Sequence, residues 1–489
     1  MKTKICKNLA MVLVMTLFIS SVALPMGYAA SEVYVNDSDS TLGTDIGSAW
    51  AVGSGGDVSQ VGDVYAITGT GTVKIGQATT PNGLPSGDPD GSTIRVKNTV
   101  VRVGIFFPGG YSGSSAVSTV TLENYASSSG FRFGYYDSSR IFHETASTDR
   151  TRIIISGGGG STGAIVSDAS TGGSLYSHTD GSNNLAVVPI SGSGKGITKV
   201  VNKGSSDNTF YGGFEFFRHQ GGASFTVINV LPLEDYIKGV VPIEMSASWP
   251  REALKAQAVC ARTYYAYYVA TSSSAWAQYK FDITNDTRCQ AYLGTARATS
   301  NSDAAVDETA GQYLTYNNSL CAALYSAACG GGTESNVNVN GYDYPYLKGV
   351  IDPYEAASAD VNPYYPWKSP VVMTPAQLGG KVGLGAIDKV EPTYSPTNNC
   401  IKLVLTDTNG YSVTIERDYC RTRLGLNSIH YTVTKNADGN FVFNGGGLGH
   451  NVGMSQYGAF AIARNYGGNY RQILRFYYTG VKISTGVQA

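Results

Sequence analysis

The chain has 489 residues, a formal net charge of −1 and only 15% charged side chains. That balance excludes the basic face with which proteins grip nucleic acid, and the length exceeds one ordinary domain, so two or three are expected. Glycine (60 residues, against an average of about 7%) and tyrosine (34) are in excess. Tyrosine suits sugar binding, because its face stacks on a pyranose while its hydroxyl stays wet, but it suits exposed β-sheet equally.

Residues 1–30 read as an export signal. Lys2, Lys4 and Lys7 precede an apolar run from Leu9 to Leu24, and the small residues Gly27, Ala29 and Ala30 follow. The run spans about 16 residues, short of the roughly 20 that cross a bilayer. The protein is therefore expected to be exported, with membrane attachment only if the signal stays uncleaved. Residues 31–92 are rich in Gly, Ser, Thr and Asp, with short alternating pieces such as Val61 to Ile67. They predict a β-rich extension of unassigned role. Thr93 to Phe106 predicts one or two strands, and the glycine-rich stretches between Gly157 and Gly204 predict loops or hairpins on a β scaffold. From Phe225 a strand leads into a short helical turn. A longer helix follows, with Ser248 as N-cap, Pro250 in the first turn, and Leu254, Ala258, Ala261, Tyr265 and Tyr268 on one stripe. Gln312 to Tyr316 and Leu320 to Ser326 predict a hairpin turning at Asn317-Asn318. Ile401 to Leu405 and Ser412 to Ile415 predict another at Asn409-Gly410. Two helices close the chain, one from about Ser455 to Asn465 and one from Asn469 with Gln472 as capping-box partner. The fold class expected is α+β: a mixed, β-rich scaffold with a few helices flanking a substrate groove.

Three segments carry chemistry. Glu244 lies in the apolar frame of Val240, Val241, Ile243, Met245 and Trp249. Such a frame disfavours the carboxylate and favours a general acid, although a cap or surface ion pair fits the same residues. Arg262, on the long helix, needs a partner: it either orients Glu244, binds an acidic substrate group, or makes a structural ion pair. Gly445 to Ala459, GGGLGHNVGMSQYGA, is a glycine-rich loop entering a helix. It carries His450, Ser455, Gln456 and Tyr457, and its free N–H groups suit a sugar hydroxyl or an anion, or a tight structural turn. No Gly-Lys-Ser/Thr follows the glycines, so it is not a nucleotide loop. Six cysteines follow the export segment (Cys260, Cys289, Cys321, Cys329, Cys400 and Cys420) and their pairing is open. A Cys–His pair such as Cys329 with His450 is also open, and would imply a cysteine hydrolase.

Taken together, Pro232 to Tyr268 (PLEDYIKGVVPIEMSASWPREALKAQAVCARTYYAYY) and Gly447 to Ile483 (GLGHNVGMSQYGAFAIARNYGGNYRQILRFYYTGVKI) resemble the SpoIID/LytB family, the stage II sporulation protein D and amidase-enhancer proteins. ETAGQYLTYNN, YSAACGGGTES and LKGVIDPYE match in order. The resemblance spans about Thr93 to Ile483, so residues 93–489 are expected to form one peptidoglycan-acting domain with its core at 225–483. It implies a lytic transglycosylase acting on glycan strands stripped of stem peptides. Glu244 stands at the position of the family's essential glutamate, and Arg262 at that of the arginine in its AxARTY segment. Arg262, His450, Ser455, Gln456 and Tyr457 are expected to bind substrate. Some relatives bind zinc through a Cys/His group near DTRCQAYLG. Here Cys289 has no histidine nearby, and Thr295 stands where another cysteine would help, so neither a required metal nor a cofactor is expected. The loop departs from many relatives at Leu448, where they carry an aromatic, and at Asn451, where they carry glycine.

The competing expectation is an amidase enhancer that docks on wall glycan and stimulates an N-acetylmuramoyl-L-alanine amidase. A third is a surface protein that only anchors through its N-terminal region. Peptidoglycan strands are the expected partner in each case.

Overall fold

The computed structural model describes residues 91–488 apart from 111–114, 127, 159–162, 180, 192–194, 204–207, 219–221, 223 and 272–275. Before residue 91 it describes the backbone of three strands, Val33–Asn36, Asp63–Thr68 and Gly71–Gln77, which form one small sheet. The expected export segment lies outside the described residues. Among the described residues no helix is long and apolar enough to cross a membrane. The chain divides into two compact units: Gly91–Ala322 with Ile483–Ala489, and Ala323–Lys482 with Met1–Asp90. The stretch 93–489, expected as one domain, is thus divided between two units. The architecture is α+β.

The first unit is built on two antiparallel-rich sheets. One has seven strands in the order Ile283–Thr284, Val100–Phe106, Phe225–Pro232, Gly213–Arg218, Leu185–Ser191, Ser128–Tyr136 and Phe142–Thr148. The other has six, with Thr119–Tyr125, Arg152–Gly157, Ala164–Asp168 and Ile197–Val200 among them. Alternation decides what is buried. Val120, Leu122, Ile153 and Ile155 point in from the second sheet and Phe131, Phe133, Phe214 and Phe216 from the first. The rings of Phe210 and Phe214 meet edge to face at 5.8 Å. Phe225–Pro232 is buried at all but its last residue, as a strand covered on both faces must be.

That strand runs directly into helix α1 (Leu233–Glu244). The expected short turn is in fact a 12-residue helix that contains Pro242. Pro242 lacks the N–H that would reach the carbonyl of Lys238, and the helix ends two residues beyond it. Helix α2 (Arg251–Thr271) follows Trp249-Pro250, with Glu252 in its first turn. It is buried well beyond the expected stripe, Gln257, Arg262 and Thr263 included. Helix α3 (Ser300–Asp307) starts at a capping box made by Thr299 and Ser302. Gln312–Tyr316 turns back at Asn317 and Asn318, with φ 48° and 61°, conformations asparagine tolerates. The returning strand is only Ser319–Leu320. The strand expected to continue to Ser326 does not: Tyr325–Ser326 instead pairs in parallel with Met454–Ser455 in the second unit.

In the second unit, strands Ile387–Tyr394, Cys400–Asp407 and Ser412–Glu416 form one three-stranded sheet. Val371–Met373, Phe441–Gly445 and Tyr431–Lys435 form another. Helix α4 (Pro375–Val382) begins at a Thr374–Gln377 capping box. Helices α5 (Gln456–Tyr466) and α6 (Tyr470–Tyr477) bury Phe460, Ile462, Ile473 and Leu474. Asn469 and Gln472 form the capping box expected at the start of α6.

Candidate functional site

In the first unit Glu244 is the last residue of α1 and is half-buried. Its Oε1 accepts the backbone N–H of Ala291 at 3.0 Å. Val240 and Val241 are fully buried beside it in sequence, and Met245 is 1% exposed. Across from the carboxyl, α2 presents Tyr264 and Tyr268, one turn apart, with nearly parallel rings 6.1 Å between centroids. Burial, with the charges of Cys289, Tyr268 and Glu244, pushes the Tyr264 hydroxyl well above its ordinary range. The Tyr268 hydroxyl bonds to Trp276 and to the Cys289 thiol.

The segment Asp286 to Tyr292 forms the facing wall, and nearly every residue of it is anchored. Asp286 and Arg288 pair through Nε and Nη2 at 2.9 and 2.5 Å. Burial raises the Asp286 carboxyl, but the bonds from Arg288 outweigh it and hold the group below the usual carboxylate range. Gln290 donates to the Ala261 carbonyl and the Tyr236 hydroxyl, both at 3.3 Å. The Tyr292 hydroxyl donates to Asn229 at 2.7 Å. From this wall the Ala291 N–H reaches the glutamate.

Arg262 is placed differently from the substrate contact expected of it. It is 0% exposed, and its Nε and Nη2 donate to the two Glu234 oxygens at 2.9 and 2.6 Å. Nη1 reaches the Gln312 carbonyl at 3.2 Å. The bidentate pair ties α2 to the first turn of α1 and leaves no face for a ligand, which corrects the substrate-binding reading. The sequence signal for the partner was present: an acidic residue at the start of α1, where the helix dipole favours it.

The four other expected binding residues belong to the second unit. The loop before α5 alternates backbone handedness, with φ of 91°, 117°, 60° and 77° at Gly447, Gly449, Asn451 and Gly453. A Cβ on Gly453 would lie 1.9 Å from the Leu324 carbonyl oxygen, so no other residue fits. Asn451, in the place of the relatives' glycine, takes the left-handed conformation and donates to the Cys329 carbonyl at 3.0 Å and to Asn399 at 3.1 Å. Ser455 caps α5, accepting the Gly458 N–H, and donates to Glu355 at 2.6 Å; it is 0% exposed. Gln456 is 5% exposed. These two side chains are internal, which corrects their assignment as substrate contacts. His450 and Tyr457 are half-buried. The His450 Nδ1 accepts the Val452 N–H at 3.0 Å, and burial pulls its pKa down to about 4.

Cys329, Asp352 and Glu355 form, among the described residues, the one trio of metal-ligand types whose ligand atoms lie within 4.8 Å of one another. All three are buried and their capacity is used internally. Glu355 accepts the N–H groups of Cys329 and Gly330 at 2.7 and 2.9 Å, and Asp352 accepts the Tyr477 hydroxyl at 2.6 Å. Burial and the adjacent carboxylates push the Cys329 thiol well up, and its Sγ faces Asp352 at 3.4 Å. A neutral thiol bonded to a carboxyl is no nucleophile, which removes support for the Cys329–His450 hydrolase reading. Cys289 lies near Tyr264 and Tyr268, whose hydroxyls it helps to raise. Sequence reasoning missed Tyr264, Tyr268, Trp276 and Arg288 as site residues. Tyr268 had been counted with the core stripe, Tyr264 had been given no role, and DTRCQAYLG had been weighed only for metal.

The fold and site define an α+β protein with one glutamate held at a helix end by a clamped loop. The profile of the family described as Stage II sporulation protein matches residues 221–316. The chain is 35% identical over 282 residues to an uncharacterised protein of Brachyspira hyodysenteriae, covering 56% of this chain and 72% of that one. It is 34% identical over 271 residues to stage II sporulation protein D of Bacillus subtilis, covering 52% and 75%. It is 31% identical over 296 residues to the amidase enhancer of Bacillus subtilis, covering 51% of this chain and 40% of that one. The chain belongs to the stage II sporulation protein D family.

Proposed function

We propose that the protein is a peptidoglycan lytic transglycosylase exported to the cell wall, with Glu244 as its acid and base. The observation that carries this reading is the carboxyl of Glu244, half-buried at the C-terminal end of α1 with Oε1 fixed by the Ala291 N–H. Helix carbonyls lie at that end, an environment that favours the neutral acid. Glu244 gives its proton to the glycosidic oxygen between N-acetylmuramic acid and N-acetylglucosamine, and the C1–O bond breaks. The resulting carboxylate takes the proton of the muramic C6 hydroxyl while O6 bonds to C1, closing a 1,6-anhydro ring. No water is consumed and one carboxyl suffices, unlike the two-carboxylate glycosidases. Asp286, paired with Arg288, is unsuited to donate a proton.

Glu244→Gln in the full chain lowers formation of anhydromuramic ends from peptide-free glycan by at least about 10²-fold, the usual contribution of general acid–base catalysis. Undiminished cleavage by that variant would rule the mechanism out. A second reading is favoured by the similarity to the amidase enhancer: the chain binds glycan and stimulates a partner amidase. Glycan binding without cleavage, together with faster amidase turnover on addition of the chain, supports that reading instead.

A further inference from the structure

The guanidinium of Arg288 sits over two rings, 5.0 Å from the Trp276 centroid and 5.3 Å from that of Phe107. It is also held by Asp286 and donates from Nη1 to the Gly109 carbonyl at 2.9 Å. One side chain thus joins the end of strand Val100–Phe106, the stretch after α2 and the wall of the glutamate site. Trp276 stacks in turn on Phe281, at 5.6 Å and 18°, and bonds to Tyr268. Three residues beyond Arg288, the Ala291 N–H meets Glu244. We propose that Arg288, clamped by Trp276, Phe107 and Asp286, is a positioning residue that sets the Ala291 N–H against the Glu244 carboxyl.

The inference rests on the reading of Glu244 as the acid. A delocalised planar cation is required, because lysine keeps the charge but loses both the fork to Asp286 and the flat contact with the rings. When the clamp loosens, the N–H drifts from the carboxyl, the charged form loses a donor, and Glu244 holds its proton to higher pH.

The test uses the full chain on peptide-free glycan strands, with Arg288→Lys as the main variant. The expected result is a kcat reduced at least tenfold with KM within about threefold, and an alkaline limb of the kcat–pH profile displaced upward. Trp276→Phe, which removes the indole N–H and part of the ring face, moves both readings the same way by less, and serves if Arg288→Lys does not fold. An unchanged kcat, or a lower kcat on an unmoved pH profile, overturns the proposal, since a merely structural role would not displace that limb. Glu244→Gln run alongside separates the two failures. Its full activity would sink the acid reading, whereas its inactivity beside a normal Arg288→Lys would sink only the clamp.

Discussion

His430 shows what a single buried base does to the molecule. Burial pulls its pKa from 6.5 to about 4, and its buried Nδ1 has no hydrogen-bond partner. The unfolded chain then binds a proton that the folded chain refuses, so the stability His430 contributes is present above about pH 6.5 and is lost as pH falls toward 4. Asp352 and Glu355, raised by burial, act with the opposite sign: the folded chain holds their protons more tightly, and stability is lost as pH rises. Thermal melts of His430→Gln against the parent between pH 4 and 7 isolate the histidine. The parent is expected to lose ground steadily toward the acid end, and a constant difference would contradict the assignment. At Arg262 the expectation concerns stability. Arg262→Ala leaves Glu234 unpaired and is expected to cost about 2–3 kcal/mol, below the value for a fully buried pair because Glu234 is 31% exposed. Denaturant unfolding measures it. At this scale the apolar frame around Glu244 was legible, and Val240, Val241 and Met245 are indeed buried. The Arg262–Glu234 pair was not, because α1 looked too short to place Glu234 across from α2.

At the scale of elements, the caps were the most legible features. Asn469 with Gln472 stands in the sequence as it stands in the structure, because a capping box is made by residues three apart and needs no tertiary contact. Asn469→Ala is expected to lower stability by about 1 kcal/mol, checked by the urea midpoint at unchanged m-value. Ser455→Ala removes both a cap and a donor to buried Glu355, and is expected to cost about 2–3 kcal/mol by the same measurement. The strand at Tyr325–Ser326 was misplaced for the converse reason. Its partner, Met454–Ser455, lies far along the chain, and local alternation cannot tell a hairpin return from a parallel pairing with a distant segment. The reach of α1 through Pro242 was hidden by proline's usual meaning as a helix stop.

At the scale of the whole molecule, the first unit is closed by the end of the chain. Strand Lys482–Gln488 runs between Gln312–Tyr316 and Ile94–Val96, and Thr315 and Ser484 share a buried hydroxyl contact at 2.7 Å. The sequence resembles one continuous domain here because pattern reading follows chain order, whereas the second unit is inserted between residues 322 and 483. Truncation after Lys482 is therefore expected to destabilise the unit that carries Glu244, to which residues 483–489 belong. Loss of protection at Leu314 and Val96 in hydrogen exchange checks it. The central claim is that a single carboxyl, Glu244, cleaves glycan with ring closure. It is tested most directly by mass spectrometry of the products formed from peptide-free glycan strands by the native protein and by Glu244→Gln. The account predicts 1,6-anhydromuramic ends that vanish in the variant. Reducing ends from the native protein would contradict it, since they would mean that water attacks and that a second catalytic group acts beside Glu244.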